Sequence, residues 1–146
     1  MDNELTPEEL DIAVRALAFV SRTLEKSTET MTLPQFRVLT LIVNSPDRAS
    51  RIAAGADVTR PSLTGLLDGL VAKGWVTRSE VDGDRRGVSL AITPAGANAY
   101  NDAQAAMATA VQDLLGHADP KTARRALDGL VALHQALVAR RDRTAA

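Results

Sequence analysis

Apolar side chains recur at three-and-four spacing over most of the 146 residues, the period of helices that bury one face. Capping signals mark where those helices start. "TPEE" at Thr6–Glu9 offers Thr6 as a cap, Pro7 at the first helical position and Glu9 to complete a capping box. "TLPQ" at Thr32–Gln35 repeats the box with Gln35. "TPAG" at Thr93–Gly96 and "DPKT" at Asp119–Thr122 again place an oxygen before a proline, and "VTRPS" supplies a fifth start at Thr59. These signals predict helices over about 7–29, from 33, over 60–73, over 94–115 and over 120–141. The final "RRDRTAA" reads as a frayed tail.

The terminal helices carry more apolar surface than one buried stripe needs. The first has Leu10, Val14, Leu17 and Leu24 on one face, with Ile12, Phe19 and Val20 on others. The last shows Ala123, Leu127, Leu130, Val131, His134, Leu137 and Val138, and the helix before it Tyr100, Ala103, Met107, Val111 and Leu114. Such faces pack on partner helices, and in a chain this small a second copy is the favoured partner, with packing inside one chain as the alternative. The interface residues expected are Leu10, Val14, Leu17, Leu127, Leu130, Val131, His134, Leu137 and Val138.

Between these arms the pattern shortens. "RIAAGADVTRPSLTGLLDGLVAKGW" holds two helical pieces around "GADVT". Ile52, Ala53 and Ala56 face inward from the first, and Leu63, Leu66, Leu67 and Leu70 from the second. Gly55 and Asp57 make the turn, Val58 plugs the angle, and Gly74 ends the second piece as a left-handed cap. "WVTRSEV" and "GVSLAIT" then alternate as two short strands around "DGDRR". A helix-turn-helix followed by an arginine-tipped hairpin is a winged helix. The expected class is mostly α, with about six helices, a two- to three-stranded wing and long terminal helices forming a dimerisation region. The expected organisation is 1–31, a first dimerisation helix; 32–96, the winged helix-turn-helix; and 97–146, the last dimerisation helices, all in one compact domain.

Composition narrows the chemistry. The chain has no cysteine, so disulfides, thiolate metal sites and thiol redox switching are excluded. No apolar run approaches a membrane span, and the acidic "MDNELTPEEL" has the wrong charge for a signal peptide, so a cytoplasmic protein is expected. The net charge of −1 divides unevenly: −3 over residues 1–46, +1 over 47–96 and +1 over 97–146. Fourteen of the seventeen basic residues are arginine, the side chain suited to bidentate phosphate and base-edge contacts.

"VDGDRRGVSL" (81–90) tests these ideas, because Asp82, Asp84 and Gly87 fall where a calcium loop would want them. The fifth loop place is then Arg86, a cation, and the twelfth is Thr93 in place of a bidentate glutamate, so no calcium site is expected. Asp82-Gly83 is a hairpin signal. It leaves two tip arginines to explain. On a ribbon beside an exposed helix, Arg85 and Arg86 suit a narrow minor groove, where negative potential is deepest, with Asp84 orienting one guanidinium.

On these residues the chain resembles the MarR family of transcription regulators. The resemblance covers about 31–96, in "LPQFRVL", "IAAGADVTRPSLTGLLDGLVAKGWVTR", "DGDRR" and "LAITPAG", the arginine tip being most specific. It implies a homodimer whose winged helices read the halves of a palindromic double-stranded operator, acting as a repressor released by a small aromatic or phenolic effector. Carried over by position, Thr59, Arg60, Pro61, Ser62 and Thr64 would enter the major groove, with Gly65 allowing close approach. Arg60 is the candidate for a guanine edge, a contact that discriminates by about 1–3 kcal/mol, or for a phosphate clamp. Ser62 and Thr64 suit phosphate, Arg86 with Asp84 the minor groove, and Arg85 and Arg78 backbone contacts or structural pairs. The chain departs from the family in having Ala56 where a leucine is usual. Gly65 and Gly69 weaken the reading helix, each by about 0.8–1 kcal/mol relative to alanine.

The remaining candidates are weaker. His117 and His134 lack the companions of a metal site, and His134, on the last apolar stripe, reads as an interface or core residue. Trp75 and Phe36 read as core. Phe19, Phe36 and Tyr100 are candidates for gripping a planar ligand, since the chain has few aromatics. No catalytic set, metal or cofactor is expected. Two rival functions stand beside DNA reading. One is a winged helix used only for protein contact, and the other a small hydrolase built on Glu80, Asp82 and Asp84.

Overall fold

The computed structural model describes residues 4–44, 52, 59–80 and 88–145. In chain order these form α1 (Pro7–Ser27), α2 (Leu33–Asn44), α3 (Arg60–Ala72), β1 (Val76–Glu80), β2 (Val88–Ile92), α4 (Pro94–Leu115) and α5 (Pro120–Ala145). Five helices and one two-stranded antiparallel sheet are thus seen among the described residues. Ile52 is helical and buried; the rest of the first short helical piece, with Ala53, Gly55, Ala56, Asp57 and Val58, lies outside the described residues. The class is the expected one, a mostly helical winged helix.

The capping oxygens start the helices as the sequence indicates. Thr6 and Glu9 close a full capping box on α1. At α2, the Thr32 hydroxyl accepts from the Gln35 amide at 3.3 Å while the Gln35 side chain accepts from the Thr32 amide at 3.0 Å. The Asp119 carboxylate accepts the Lys121 and Thr122 amides, both at 3.1 Å, opening α5. Two ends differ from expectation. The first helix stops at Ser27, whose hydroxyl donates to the Leu24 carbonyl, and Thr28 is already extended. The last helix runs through the expected frayed tail to Ala145. Nothing there breaks it, Arg143 suits its negative end, and the Thr144 hydroxyl donates back to the Arg140 carbonyl.

One core holds the middle of the chain together. Leu33, Val38, Leu39 and Ile42 of α2 meet Leu63, Leu67 and Leu70 of α3, Val76 of β1, Leu90 of β2, and Ala103 and Met107 of α4. Leu39, Leu70 and Leu90 are fully buried. Truncating any of them to alanine costs about 2–5 kcal/mol in sites of this kind. From α1 only Leu24 packs against this cluster, as a partly buried residue, and no residue of α1 is fully buried.

The sheet pairs Val76 with Ile92 through to Glu80 with Val88. Residues 81–87 lie outside the described residues, and with them Asp84, Arg85 and Arg86.

Candidate nucleic-acid interface

The candidate reading helix, α3, is built from its cap inward. Thr59 is extended (φ −70°, ψ 155°) and its hydroxyl accepts from the Ser62 amide at 3.4 Å while donating to the Ser62 hydroxyl at 3.0 Å. Arg60 and Pro61 follow as the first helical residues, proline costing nothing where its amide would be unpaired. Leu63, Leu67 and Leu70 turn into the core. That leaves Pro61, Ser62, Thr64, Gly65 and Asp68 exposed on the opposite face. The space above Gly65 is open to 4 Å. A surface can therefore lie close against this helix. The side chain of Arg60 lies outside the described residues.

The hairpin is tied to that helix by a pair the sequence reading left undecided. Arg78 on β1 donates to Asp68 on α3 at 2.6 Å. Both side chains are well exposed, so the pair contributes little stability, but it joins ribbon and helix directly. Asp68 drew no notice in the sequence. It lies ten residues from its partner, and only the folded hairpin brings the two together.

The C-terminal end of α3 is more elaborate than a glycine stop. Gly74 has φ 73°, its amide donates to the Val71 carbonyl, and the Trp75 amide reaches back to the Leu70 carbonyl. The Trp75 carbonyl then accepts from the Thr93 amide, and the Thr93 hydroxyl donates to the Gly74 carbonyl while accepting from the Gly96 amide. Lys73 lies over the Trp75 ring, 4.4 Å from its centre, and donates to the Thr30 carbonyl at 3.3 Å. Trp75 is partly buried against the core, as read from the sequence.

Of the three aromatic candidates, two come together. Phe36 and Tyr100 stack with ring centres 4.9 Å apart and planes within 9°, and the Tyr100 hydroxyl lies 3.1 Å from that of Thr40. Phe19 does not join them; it is 74% exposed on α1. The expected interface residues Leu10, Val14 and Leu17 of α1, and Leu127, Leu130, Val131, His134 and Leu137 of α5, are exposed in the single chain, with Val138 partly so. His134 is therefore no core residue of one copy. Among the described residues no group of three histidine, aspartate or glutamate side chains is placed to hold a metal. No described helix is long and apolar enough to cross a membrane.

The MarR family model matches residues 29–87, which contain α2, α3 and β1. The repressor YetL of Bacillus subtilis is 34% identical over 65 residues, which cover 42% of this chain and 39% of that protein. Apo wild-type MarR from Escherichia coli superposes with a TM-score of 0.75 at 25% identity, covering 88% of this chain and 97% of that one. Residues 29–87 thus carry a MarR-family segment. Two further solved structures share the fold. The repressor CouR, bound to a 23-mer DNA duplex, gives a TM-score of 0.72 at 27% identity over 91% of this chain and 99% of that one. A MarR-family protein of Mycobacterium tuberculosis in complex with salicylic acid gives 0.70 at 21%, with the same coverage. The match to the curated relative YetL spans about two fifths of that protein's length.

Proposed function

We propose that this MarR-family chain is a cytoplasmic, sequence-specific regulator that binds double-stranded DNA as a homodimer, represses, and lets go when a small aromatic or phenolic effector binds. One observation carries the reading: a capped helix with a small polar outward face, Pro61 to Gly65, sits beside a two-stranded ribbon on the same core. Its support is the DNA-bound state of CouR and the repressor YetL. Thr59, Arg60, Ser62 and Thr64 are assigned to the major groove, Arg60 to a base edge or phosphate. Arg86, oriented by Asp84, is assigned to the minor groove and Arg85 to the backbone. Arg78 is assigned to its pair with Asp68 rather than to DNA. For the effector, the Phe36–Tyr100 stack with the Thr40 and Tyr100 hydroxyls offers ring edges and a polar end, and a salicylate-bound relative supports that ligand class.

Selection of bound fragments from the source genome tests the proposal. A recovered palindrome whose affinity falls steeply with salt is the expected result, with a log–log slope of about −0.9 per phosphate contacted. A protein that selects no duplex even in dilute buffer refutes it and leaves the protein-contact reading, with which the net charge of −1 is compatible.

A further inference from the structure

Beyond the leucines it buries in the core and the exposed Arg78–Asp68 pair, the reading helix is hydrogen-bonded to the rest of the fold at the end away from its reading residues. Thr59 to Gly65 occupy the N-terminal half of α3, whereas its fixed connections to the long helices gather at Lys73–Trp75. There the C-terminal cap of α3 and the N-terminal cap of α4 are one hydrogen-bonded structure. Thr93 caps α4 through Gly96 and, with the same hydroxyl, grips the Gly74 carbonyl, while its amide holds the Trp75 carbonyl. From the other side, Lys73 holds the Thr30 carbonyl in the segment joining α1 to α2, its position fixed by the Trp75 ring. The helix end is thus tied to the base of α4 and to the segment that leaves α1.

Leverage makes this matter. A helix of 13 residues is about 20 Å long, so a tilt of about 5° at the clamp moves the reading end by nearly 2 Å. That is about half the 3.4 Å rise of one base step. We infer that Lys73 and Thr93 are positioning residues that fix which half-site separation the dimer accepts, acting through the tilt of α3 and touching no DNA themselves. The inference rests on the DNA-reading dimer proposed above.

The test uses the full chain and the palindrome that the unaltered protein selects, with duplexes carrying one base pair more or fewer between the halves. The unaltered protein is expected to bind the altered spacings at least about tenfold more weakly. Lys73→Met, which keeps an apolar stem over Trp75, and Thr93→Val should each reduce that discrimination to about threefold, with a single half-site bound within about twofold of normal. Lys73→Arg and Thr93→Ser, which keep the donors, should restore it. Because the chain has no cysteine, Gly65→Cys gives one label near the reading end of each α3, where nothing lies within 4 Å, and the label-to-label distance distribution measured without DNA should broaden in both variants. Unchanged spacing discrimination with an unchanged distribution overturns the inference while leaving DNA reading intact. If Thr93→Val does not fold, Lys73→Met decides alone. A protein that selects no palindrome overturns the parent reading, and this inference with it.

Discussion

A methyl group added at Gly96 would sit 2.1 Å from the Trp75 carbonyl oxygen and 2.9 Å from the Ile92 side chain. The nearest obstacle is backbone, pinned by the Thr93 amide, and it has nowhere to go. Gly96→Ala is therefore expected to destabilise the fold by about 3 kcal/mol or more, lowering the thermal midpoint by roughly 6–12 °C. Gly69→Ala, with nothing within 4 Å, should instead stabilise by about 0.5–1 kcal/mol, and thermal melts of the two decide. At the wing, Arg86→Ala is expected to weaken operator binding at least about tenfold, measured by titration, while sedimentation shows the dimer intact. What was legible at this scale followed contact range. Thr6, Thr32, Thr59 and Thr93 act on residues three places away, and the sequence exposes that spacing. The bonds of Thr93 to Gly74, Lys73 to Thr30 and Arg78 to Asp68 join positions whose neighbourhood only the fold creates.

The capping carboxylates carry a pH dependence at the level of single helices. Hydrogen bonds from Thr6 hold the Glu9 carboxyl below its ordinary value of 4.5, and those from Thr122 hold Asp119 below 3.8. A folded value depressed in this way stabilises the helix start above the unfolded value, and the benefit disappears as pH falls through the folded one. The first-turn amides of α1 and α5 should therefore exchange hydrogen faster as pH drops below about 4, after correction for intrinsic rates, with mid-helix amides unaffected. Helix beginnings were readable because caps are local and chemically distinctive. Helix ends were less so: α1 stops in a Ser-Thr run that carries no glycine, and α5 continues where the position at the end of the sequence suggested fraying. The hairpin itself was legible from its two alternating strands, while its register follows how Val76, Val88 and Leu90 meet the core.

Across the whole molecule, the middle of the chain owns its core and the flanks do not. Leu10, Val14, Leu17, Leu130, Val131 and Leu137 remain exposed in one copy, more apolar surface than a monomer ordinarily shows. If a second copy covers it, folding and pairing are linked, and the thermal midpoint should rise as protein concentration rises. Leu17→Glu with Leu137→Glu should give a monomer by sedimentation and lose palindrome affinity at least about tenfold, since two half-sites would no longer be held together. The apolar excess on the terminal helices was legible from periodicity; what covers it is a question of chemistry between molecules that no single-chain pattern encodes.

That α1 keeps no side chain of its own fully buried has a genetic consequence. In the proposed homodimer, copies damaged only in the wing would still present intact flanks and would join with sound ones at random. With equal amounts of each, about a quarter of the assemblies would carry two working heads, so a wing allele should act dominantly over its normal counterpart.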